Sequence, residues 1–225
     1  MLTMNSRLLL VVLPLIVSGA ASAQSVSFDF SSLGSALISF QGVNGDFDFS
    51  PDVSGFDFQI TNASLPVMGL NGLKGNIIGT FTVGTITVIG GIEEAPVTGS
   101  GMLTINDGLN LFSSTIASSG YDALTVGSIG GLNTESVVNL SNFTYNGSNS
   151  SLQQLAGSGS AIETVSFQFQ PAETLNQLAF GPLSGSTSFS GSLLAIPEPS
   201  TYAAILGCVA LGSAICRRKL RGGLF

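Results

Sequence analysis

Short runs of alternating apolar and polar residues are the feature of this sequence that most limits its fold. The clearest are residues 26–30 (VSFDF), 46–49 (DFDF), 56–60 (FDFQI) and 164–169 (TVSFQF). A period of two places the phenylalanines on one face of a β-strand and the polar residues on the other. Glycine, asparagine and serine separate the runs, and only residues 150–156 (SSLQQLA) favour a short helix. The sequence therefore predicts an all-β fold.

Many short strands that are apolar on one side need a second layer to cover that side. We predict one antiparallel β-sandwich of jelly-roll type over residues 24–195, and a closed barrel meets the same requirement. A β-solenoid is the alternative because glycine, asparagine and serine are plentiful, although the chain shows no fixed repeat period. Phe-Asp-Phe occurs at 28–30, 47–49 and 56–58, and we interpret each triplet as an inward phenylalanine pair around a solvated aspartate.

The first 23 residues have the pattern of a secretory signal peptide. Arg7 supplies the positive charge and residues 8–17 form the apolar core. Ala21 and Ala23 form an A-x-A cleavage site, so the exported chain is expected to begin at Gln24. This pattern predicts that signal peptidase and the general secretion machinery are partners.

The C-terminal end, residues 196–221, combines three distinct segments. Pro197, Glu198 and Pro199 favour an extended backbone, which a processing enzyme can hold like an added strand. An uncharged run follows, and we predict a transmembrane helix over residues 201–216, which is short for a permanent span. A cytoplasmic C-terminus is predicted by the basic cluster after this run, which consists of Arg217, Arg218, Lys219 and Arg221.

This tail resembles the PEP-CTERM sorting signal of exported bacterial proteins, with a Pro-Glu-Pro box, an apolar segment and a basic end (IPEPSTYAAILG…RRKLR). The resemblance covers only these residues of the 225-residue chain. It implies recognition and cleavage near the box by an integral-membrane exosortase, with release to the cell surface or the exopolysaccharide matrix. The chain departs from the pattern at its end, where residues 222–225 follow the basic cluster. Until it is processed, we expect the membrane to hold the protein through the C-terminal helix.

The exported part is strongly acidic. It holds twelve of the thirteen acidic residues and only Lys74 of the six basic ones, a net charge of −11. Such a surface repels phosphate backbones, so we exclude nucleic acid as a partner. The chain has no histidine, and both cysteines, Cys208 and Cys216, lie in the tail. The usual catalytic triads and catalytic zinc sites therefore lack their residues.

Paired carboxylates are the remaining catalytic candidates, as in glycoside hydrolysis. The available pairs are Glu93 with Glu94 and Glu135 with Glu163. Adjacent glutamates in a strand face opposite sides, and residues 93–96 (EEAP) favour a turn. We therefore expect no enzyme and no cofactor.

Two further sets of residues point to binding or modification. Oxygen ligands at nearly alternate positions form a hypothetical calcium site, at Asn44, Asp46, Asp48 and Asp52. Triplets of the form N-x-S/T accept glycans in secreted proteins. Here they begin at Asn139, Asn142, Asn146 and Asn149, with a fifth at Asn62.

These observations predict a non-catalytic exported protein. It is held for a time at the inner membrane with its C-terminus in the cytoplasm, and is then sorted to the cell surface or the extracellular matrix. The low charge density and the absence of the usual catalytic groups favour such a structural role. The alternative is a carbohydrate-binding or adhesin module assisted by calcium, because β domains often bind glycans.

Overall fold

A computed structural model describes residues 26–64, 67–116, 122–128, 131–182 and 185–196, with residues 207, 208 and 212 of the tail. In two of these segments, 122–128 and 131–136, only the backbone is described. The expected signal peptide, the Pro-Glu-Pro box and the basic cluster lie outside the described residues.

Thirteen β-strands make up most of the described chain. In chain order they are β1 (Ser27–Ser32), β2 (Leu37–Phe40), β3 (Asp46–Ser50), β4 (Phe58–Ala63), β5 (Lys74–Val83), β6 (Thr87–Ile89), β7 (Ile92–Asn106), β8 (Leu111–Ile116), β9 (Asp122–Ser128), β10 (Gly131–Thr144), β11 (Ser160–Phe169), β12 (Gly185–Thr187) and β13 (Phe189–Ile196). Two α-helices, α1 (Ser150–Gly157) and α2 (Leu175–Phe180), and a 3-10 helix at Met68–Leu70 lie between strands.

Eight of the strands close into an antiparallel barrel, in the order β5–β4–β1–β13–β11–β10–β8–β7 and back to β5. The closing pair, β5 with β7, runs in register from Lys74 opposite Asn106 to Val83 opposite Val97. The β4–β5 pairing is much shorter, with only Phe58 opposite Gly75 and Gln59 opposite Lys74. Beyond that point β5 pairs with β3 instead, and β2 and β12 continue the sheet outward from β3.

Phenylalanine and aliphatic side chains fill the inside of the barrel. Among the fully enclosed ones are Phe28, Phe30, Phe58, Ile77, Phe81, Leu103, Phe112, Ile116, Val138, Val165 and Leu193. The rings of Phe30 and Phe58 lie 4.7 Å apart between centroids. Burial of each such side chain stabilises the fold by about 1.5–3 kcal/mol relative to its exposed state.

A helix packs at each end of the barrel. Helix α1 contacts the 3-10 helix and β10, and its Leu152 and Leu155 are fully buried. Helix α2 lies at the opposite end, where its Leu175 and Leu178 are fully buried and its Ala179 carbonyl accepts a hydrogen bond from Gly45. The short helix predicted at residues 150–156 is therefore confirmed as α1.

The predicted β-sandwich and the alternative solenoid are both wrong, because the strands close on themselves. The sequence interpretation treated glycine as the end of a strand, whereas the long strands continue through glycines. At Gly75 and Gly191 a phenylalanine ring and a neighbouring carbonyl oxygen come so close that no Cβ would fit. Glycine at such points lets the strands approach one another and bend, and the ring covers the gap.

Two local predictions are also wrong. Residues 93–96 do not form a turn but lie within β7, which is 15 residues long. Pro96 is tolerated there because it falls between the stretch that pairs with β6 and the stretch that pairs with β5. Asp57 is not solvated, since only 2% of its surface is exposed. The aspartate of the first triplet, Asp29, is exposed as predicted.

The predicted transmembrane helix over residues 201–216 is not supported. Within the described part of the chain, no helix has both the length and the apolar character needed to cross a membrane. Of the predicted span, the structure describes only residues 207, 208 and 212, which are helical and exposed.

Candidate functional site

The first and last described residues of the barrel domain, Val26 and Ile196, lie side by side. Ser27 is opposite Leu194 in the β1–β13 ladder, and the Ala195 N–H donates to the Val26 carbonyl at 2.8 Å. The last paired residue is Ile196, directly before Pro197. The chain therefore enters and leaves the barrel at one place, at the α1 end, and both predicted processing regions connect there.

The predicted processing residues themselves lie outside the described part of the chain. They are Ala21, Ala23 and Gln24 of the signal peptidase site, Pro197, Glu198 and Pro199 of the box, and Arg217, Arg218, Lys219 and Arg221 of the basic cluster.

The four residues of the hypothetical calcium site do not converge on one point. Asp46 and Asp52 lie at opposite ends of β3, whose five residues span about 13 Å at roughly 3.3 Å per residue. Asp46 Oδ1 accepts a 2.6 Å hydrogen bond from the Thr82 hydroxyl, and Asp52 Oδ1 accepts one from the Ser54 hydroxyl. That last bond is the main reason that the pKa of Asp52 is lowered. Among the described residues, no group of three or more potential metal ligands comes together.

The N-x-S/T triplets all lie toward the α1 end of the barrel. Asn139, Asn142 and Asn146 are exposed, whereas Asn149 is half-buried and its side chain accepts the N–H groups of Ser151 and Leu152 at the start of α1. Asn142 has a positive φ of 54° at an irregularity in the β8–β10 pairing. Asn146 is the only exposed one of these four that lies in a loop, so it is the most accessible acceptor.

The glutamates of the two predicted pairs lie in different surroundings. Glu94 is exposed, while Glu93 is half-buried and its carboxylate accepts the Asn176 N–H of α2 at 3.2 Å. Glu163 is fully buried inside the barrel, opposite Val138 and Leu193. Glu135 is opposite Ser166 and thus three positions further along the β10–β11 ladder than Glu163.

A buried carboxylate, which the sequence did not predict, joins the start of β4 to β5. Asp57 Oδ2 accepts the Ile77 N–H at 2.7 Å, at the point where β5 has left β4 and has not yet reached β3. Asp57 Oδ1 receives no hydrogen bond in the described part of the chain. Burial raises the pKa of this carboxyl to about 6, and the bond from Ile77 only partly opposes that rise. Asp57 therefore accepts the Ile77 N–H where no neighbouring strand does so, although its carboxyl is buried.

A second group of polar residues, which the sequence did not predict, links two loops at the α1 end of the barrel. The Tyr145 hydroxyl donates to Asp107 Oδ2 and accepts the Asn149 N–H at 3.0 Å. Asp107 Oδ1 also accepts the N–H groups of Leu109 and Asn110, at 2.8 and 2.6 Å. These bonds, that from Tyr145 foremost, lower the pKa of Asp107 to about 2. The network ties the β7–β8 turn to the loop before α1.

We expect Tyr145→Phe to lower the melting temperature, because both Asp107 and the Asn149 N–H lose a partner while the aromatic ring stays in place. Thermal unfolding followed by circular dichroism measures this effect. Asn146→Ala, in the same loop but exposed, is the matched control and should melt like the wild type. Equal melting temperatures for Tyr145→Phe and the wild type would show that the network does not stabilise the fold.

One shallow groove lies on the outer surface between β2 and β12. It has a volume of about 280 Å³ and is lined by Ser39, Phe40, Gln41, Gly185 and Ser186. Since Phe40 is 2% exposed, polar side chains and backbone form the accessible part of this groove.

We compared the chain with known protein families, curated proteins and solved structures. No protein-family model, no curated protein and no solved structure matches this chain. The resemblance to PEP-CTERM sorting signals therefore rests on residues 196–221 alone, and any function must be argued from these residues and the barrel.

Proposed function

We propose that this chain is an exported, non-catalytic surface or matrix protein that an exosortase-like enzyme processes at its C-terminus. The main support for the proposal is that the chain enters and leaves the barrel at the same place. Val26 and Ile196 leave the same end of the barrel next to each other, joined by the Ala195–Val26 hydrogen bond of 2.8 Å. Cleavage before Val26 and cleavage after Ile196 both leave every described strand intact, so the barrel remains complete after processing at both termini.

The position of the box supports the same proposal. Strand β13 ends at Ile196, whose partner is Ser160 at the start of β11, and Pro197 follows at once. A proline lacks the N–H that a further ladder bond needs. The box thus begins where the β-sheet pairing stops, which favours access by a processing enzyme at the membrane surface.

The described side chains support a non-catalytic role. Of the glutamates in the two predicted pairs, Glu93 accepts the Asn176 N–H, and Glu163 is fully buried inside the barrel. The carboxyl of Asp57, whose pKa burial raises to about 6, is enclosed and bonded to a strand. A surface of hydroxyl and amide groups with a net charge of −11 suits a soluble, exposed role outside the cell.

Processing should fail when the box or the basic cluster is changed. We expect Glu198→Ala, or replacement of the four basic residues by Gln, to leave the chain at full length in the membrane fraction of a host with a matching exosortase. The intact mass of the protein from the cell-surface and membrane fractions shows whether the C-terminal tail has been removed. Glu94→Ala, an exposed acidic position on β7, is the control and should be processed normally.

Normal release of both tail variants would contradict the sorting proposal, and so would a surface protein that still ends at Phe225. The same mass spectrum reports the N-terminus, expected at Gln24, and any hexose-sized addition. If glycans are attached, Asn146→Gln should remove more of that added mass than Asn149→Gln, because Asn149 is half-buried and caps α1.

A further inference from the structure

We propose that Asn146 is the site of a spontaneous covalent modification, in which its side-chain amide is lost and the residue becomes aspartate or isoaspartate. Asn-Gly pairs are suited to this change, because glycine has no Cβ to hinder the approach of its backbone nitrogen to the asparagine side chain. The chain contains three such pairs, at 44–45, 71–72 and 146–147. The hydrogen bonds of the fold distinguish the third pair from the other two.

The backbone nitrogen of the glycine is the attacking group, so its hydrogen bonds decide how readily it reacts. The Gly45 N–H donates to two backbone carbonyls, both at 2.8 Å, and the Gly72 N–H donates to the Ile60 carbonyl at 2.9 Å. Among the described residues, none accepts a hydrogen bond from the Gly147 N–H. Only at Gly147 can the nitrogen therefore lose its proton and attack without first breaking a bond of the folded barrel.

The peptide group that joins Asn146 to Gly147 is also free to turn toward the side chain. It lies in the loop between β10 and α1, and within the described chain neither its carbonyl nor its N–H takes part in a hydrogen bond. The side chain of Asn146 is exposed, so water can reach it. Asn44 and Asn71 are exposed as well, and solvent access therefore does not distinguish the three pairs. The difference between them lies in the backbone.

The reaction needs no co-reactant other than water. The Gly147 nitrogen loses its proton to a base in the solvent and forms a bond to Cγ of Asn146. The Cγ–Nδ2 bond breaks, and Nδ2 takes up a proton and leaves as ammonia, which gives a cyclic imide. Water then opens the ring. Its addition at Cγ gives aspartate, and its addition at the main-chain carbonyl carbon gives isoaspartate, in which the backbone runs through Cβ and Cγ.

The modified loop carries hydrogen bonds that attach α1 to the barrel. The Tyr145 hydroxyl accepts the Asn149 N–H at 3.0 Å, and the Gln153 side-chain amide donates to the Gly147 carbonyl at 2.9 Å. A Cβ at Gly147 would overlap the Tyr145 hydroxyl, so the loop is closely packed at this point. Isoaspartate lengthens the backbone by one carbon atom, which moves Gly147 relative to Tyr145. We therefore expect the modified protein to be less stable than the fresh protein.

Peptide mapping by mass spectrometry tests the proposal. The full-length chain is produced in a host without protein glycosylation, so that Asn146 starts with an unmodified amide, and is purified in a mild detergent. It is incubated at mildly acidic and at mildly alkaline pH and then digested at low pH, where the reaction is slow. Electron-transfer dissociation of the peptides distinguishes isoaspartate from aspartate.

We expect the modified fraction to grow at least about fivefold faster at Asn146 than at Asn44 or Asn71, because a hydrogen bond must break first at each of the other pairs. The rate at Asn146 should rise with pH, since the attacking nitrogen must lose its proton. The chain unfolded in denaturant is the matched control. All three glycine N–H groups are then solvated, and the three pairs should react at similar rates.

Asn146→Gln tests the effect on stability. Glutamine would have to close a larger ring, so the variant should remain unmodified at this position while the other two pairs behave as in the wild type. After incubation at alkaline pH, the wild type should melt at a lower temperature than before. The variant should melt at the same temperature before and after incubation, apart from slow changes at Asn44 and Asn71.

Equal rates at the three pairs in the folded protein, or a faster reaction at Asn44 or Asn71, would overturn the proposal. So would an Asn146 that reacts in the unfolded chain but not in the folded one. An unchanged melting temperature after complete conversion would overturn the expected loss of stability. These results do not bear on sorting, because the purified protein is tested without export or cleavage.

Discussion

Gly191→Ala is expected to destabilise the barrel by about 3 kcal/mol, a large part of the stability of a typical domain. Gly191 lies in β13, opposite Phe30 of β1 and Val165 of β11. A Cβ at this position would lie less than 3.0 Å from both the Phe30 ring and the carbonyl oxygen of Thr164. The ring can turn aside, but the carbonyl belongs to the backbone of the neighbouring strand. Relief of the clash therefore requires movement within the barrel wall.

The opposing effect is too small to compensate. Alanine is favoured over glycine within a strand by roughly 0.5–1 kcal/mol, because glycine loses more backbone freedom on folding. Urea unfolding followed by circular dichroism measures the difference. Gly157→Ala is the matched control, since nothing lies within 4 Å of a Cβ at that helical position. It should be neutral or stabilising by up to about 1 kcal/mol.

If Gly191→Ala and Gly157→Ala have the same free energy of unfolding, the close approach of β13 to Phe30 and β11 does not hold the barrel closed. Gly191→Val extends the test, because its two further methyl groups have even less room. It should prevent folding, seen as loss of soluble protein, while Gly157→Val should still fold.

The second large effect is a pH dependence that arises from Asp57. Burial raises the pKa of its carboxyl to about 6, from an ordinary value of 3.8, and the charge of Asp52 adds to the rise. The folded state then binds the proton more tightly than the unfolded state. Its contribution to stability is complete below pH of about 4 and is lost as the pH rises through about 6. Between pH 4.5 and 7 the loss is about 2 kcal/mol, at 1.36 kcal/mol for each pKa unit.

Asp57→Asn should remove this part of the pH dependence. Asparagine keeps an oxygen that can accept the Ile77 N–H and carries no charge at any pH. We expect the stability of the variant, measured relative to the wild type, to rise by about 2 kcal/mol from pH 4.5 to pH 7. Chemical unfolding at several pH values measures this difference, and other carboxylates cancel in the comparison.

Asp48→Asn provides the control for Asp57→Asn. Asp48 occupies the centre of the second Phe-Asp-Phe triplet but is only half-buried and faces outward beside Gln41. The change of relative stability with pH should be larger for Asp57→Asn than for Asp48→Asn, because only Asp57 is enclosed. A constant difference for Asp57→Asn would mean that the Asp57 carboxyl is not protonated more readily in the folded barrel than in the unfolded chain.

Much of the local structure could be predicted because it depends on neighbours in sequence. Alternation placed Phe28 and Phe30 inside and Asp29 outside, as the structure shows. Two glycines in succession are a local turn signal, and Gly90 and Gly91 do form the turn between β6 and β7, where both have a positive φ. Helix α2 was missed although its signal was present. Thr174 and Gln177 form a capping box, a pattern that can be recognised from sequence.

The candidate sites depended less on local pattern. Asp57 has the same neighbours as Asp29, yet one is buried and the other exposed, because only Asp57 lies where β5 changes partner. The hypothetical calcium ligands are close in sequence, but two of them lie in the extended strand β3 and the other two lie before and after it, so the ends of the set separate in space. The Tyr145–Asp107 bond joins residues 38 positions apart, which no spacing rule predicts.

By itself the sequence determined which side of the alternating strands β1, β3, β4 and β11 is apolar, and it contains signal-like segments at both ends. These properties follow from side-chain period and composition within a few residues. Only the tertiary structure decided that the strands close into a barrel, that Val26 and Ile196 meet, and that Asp57 is buried. Those outcomes depend on register and close approach between distant strands, where a glycine such as Gly191 permits contact and a carboxylate such as Asp57 completes a ladder.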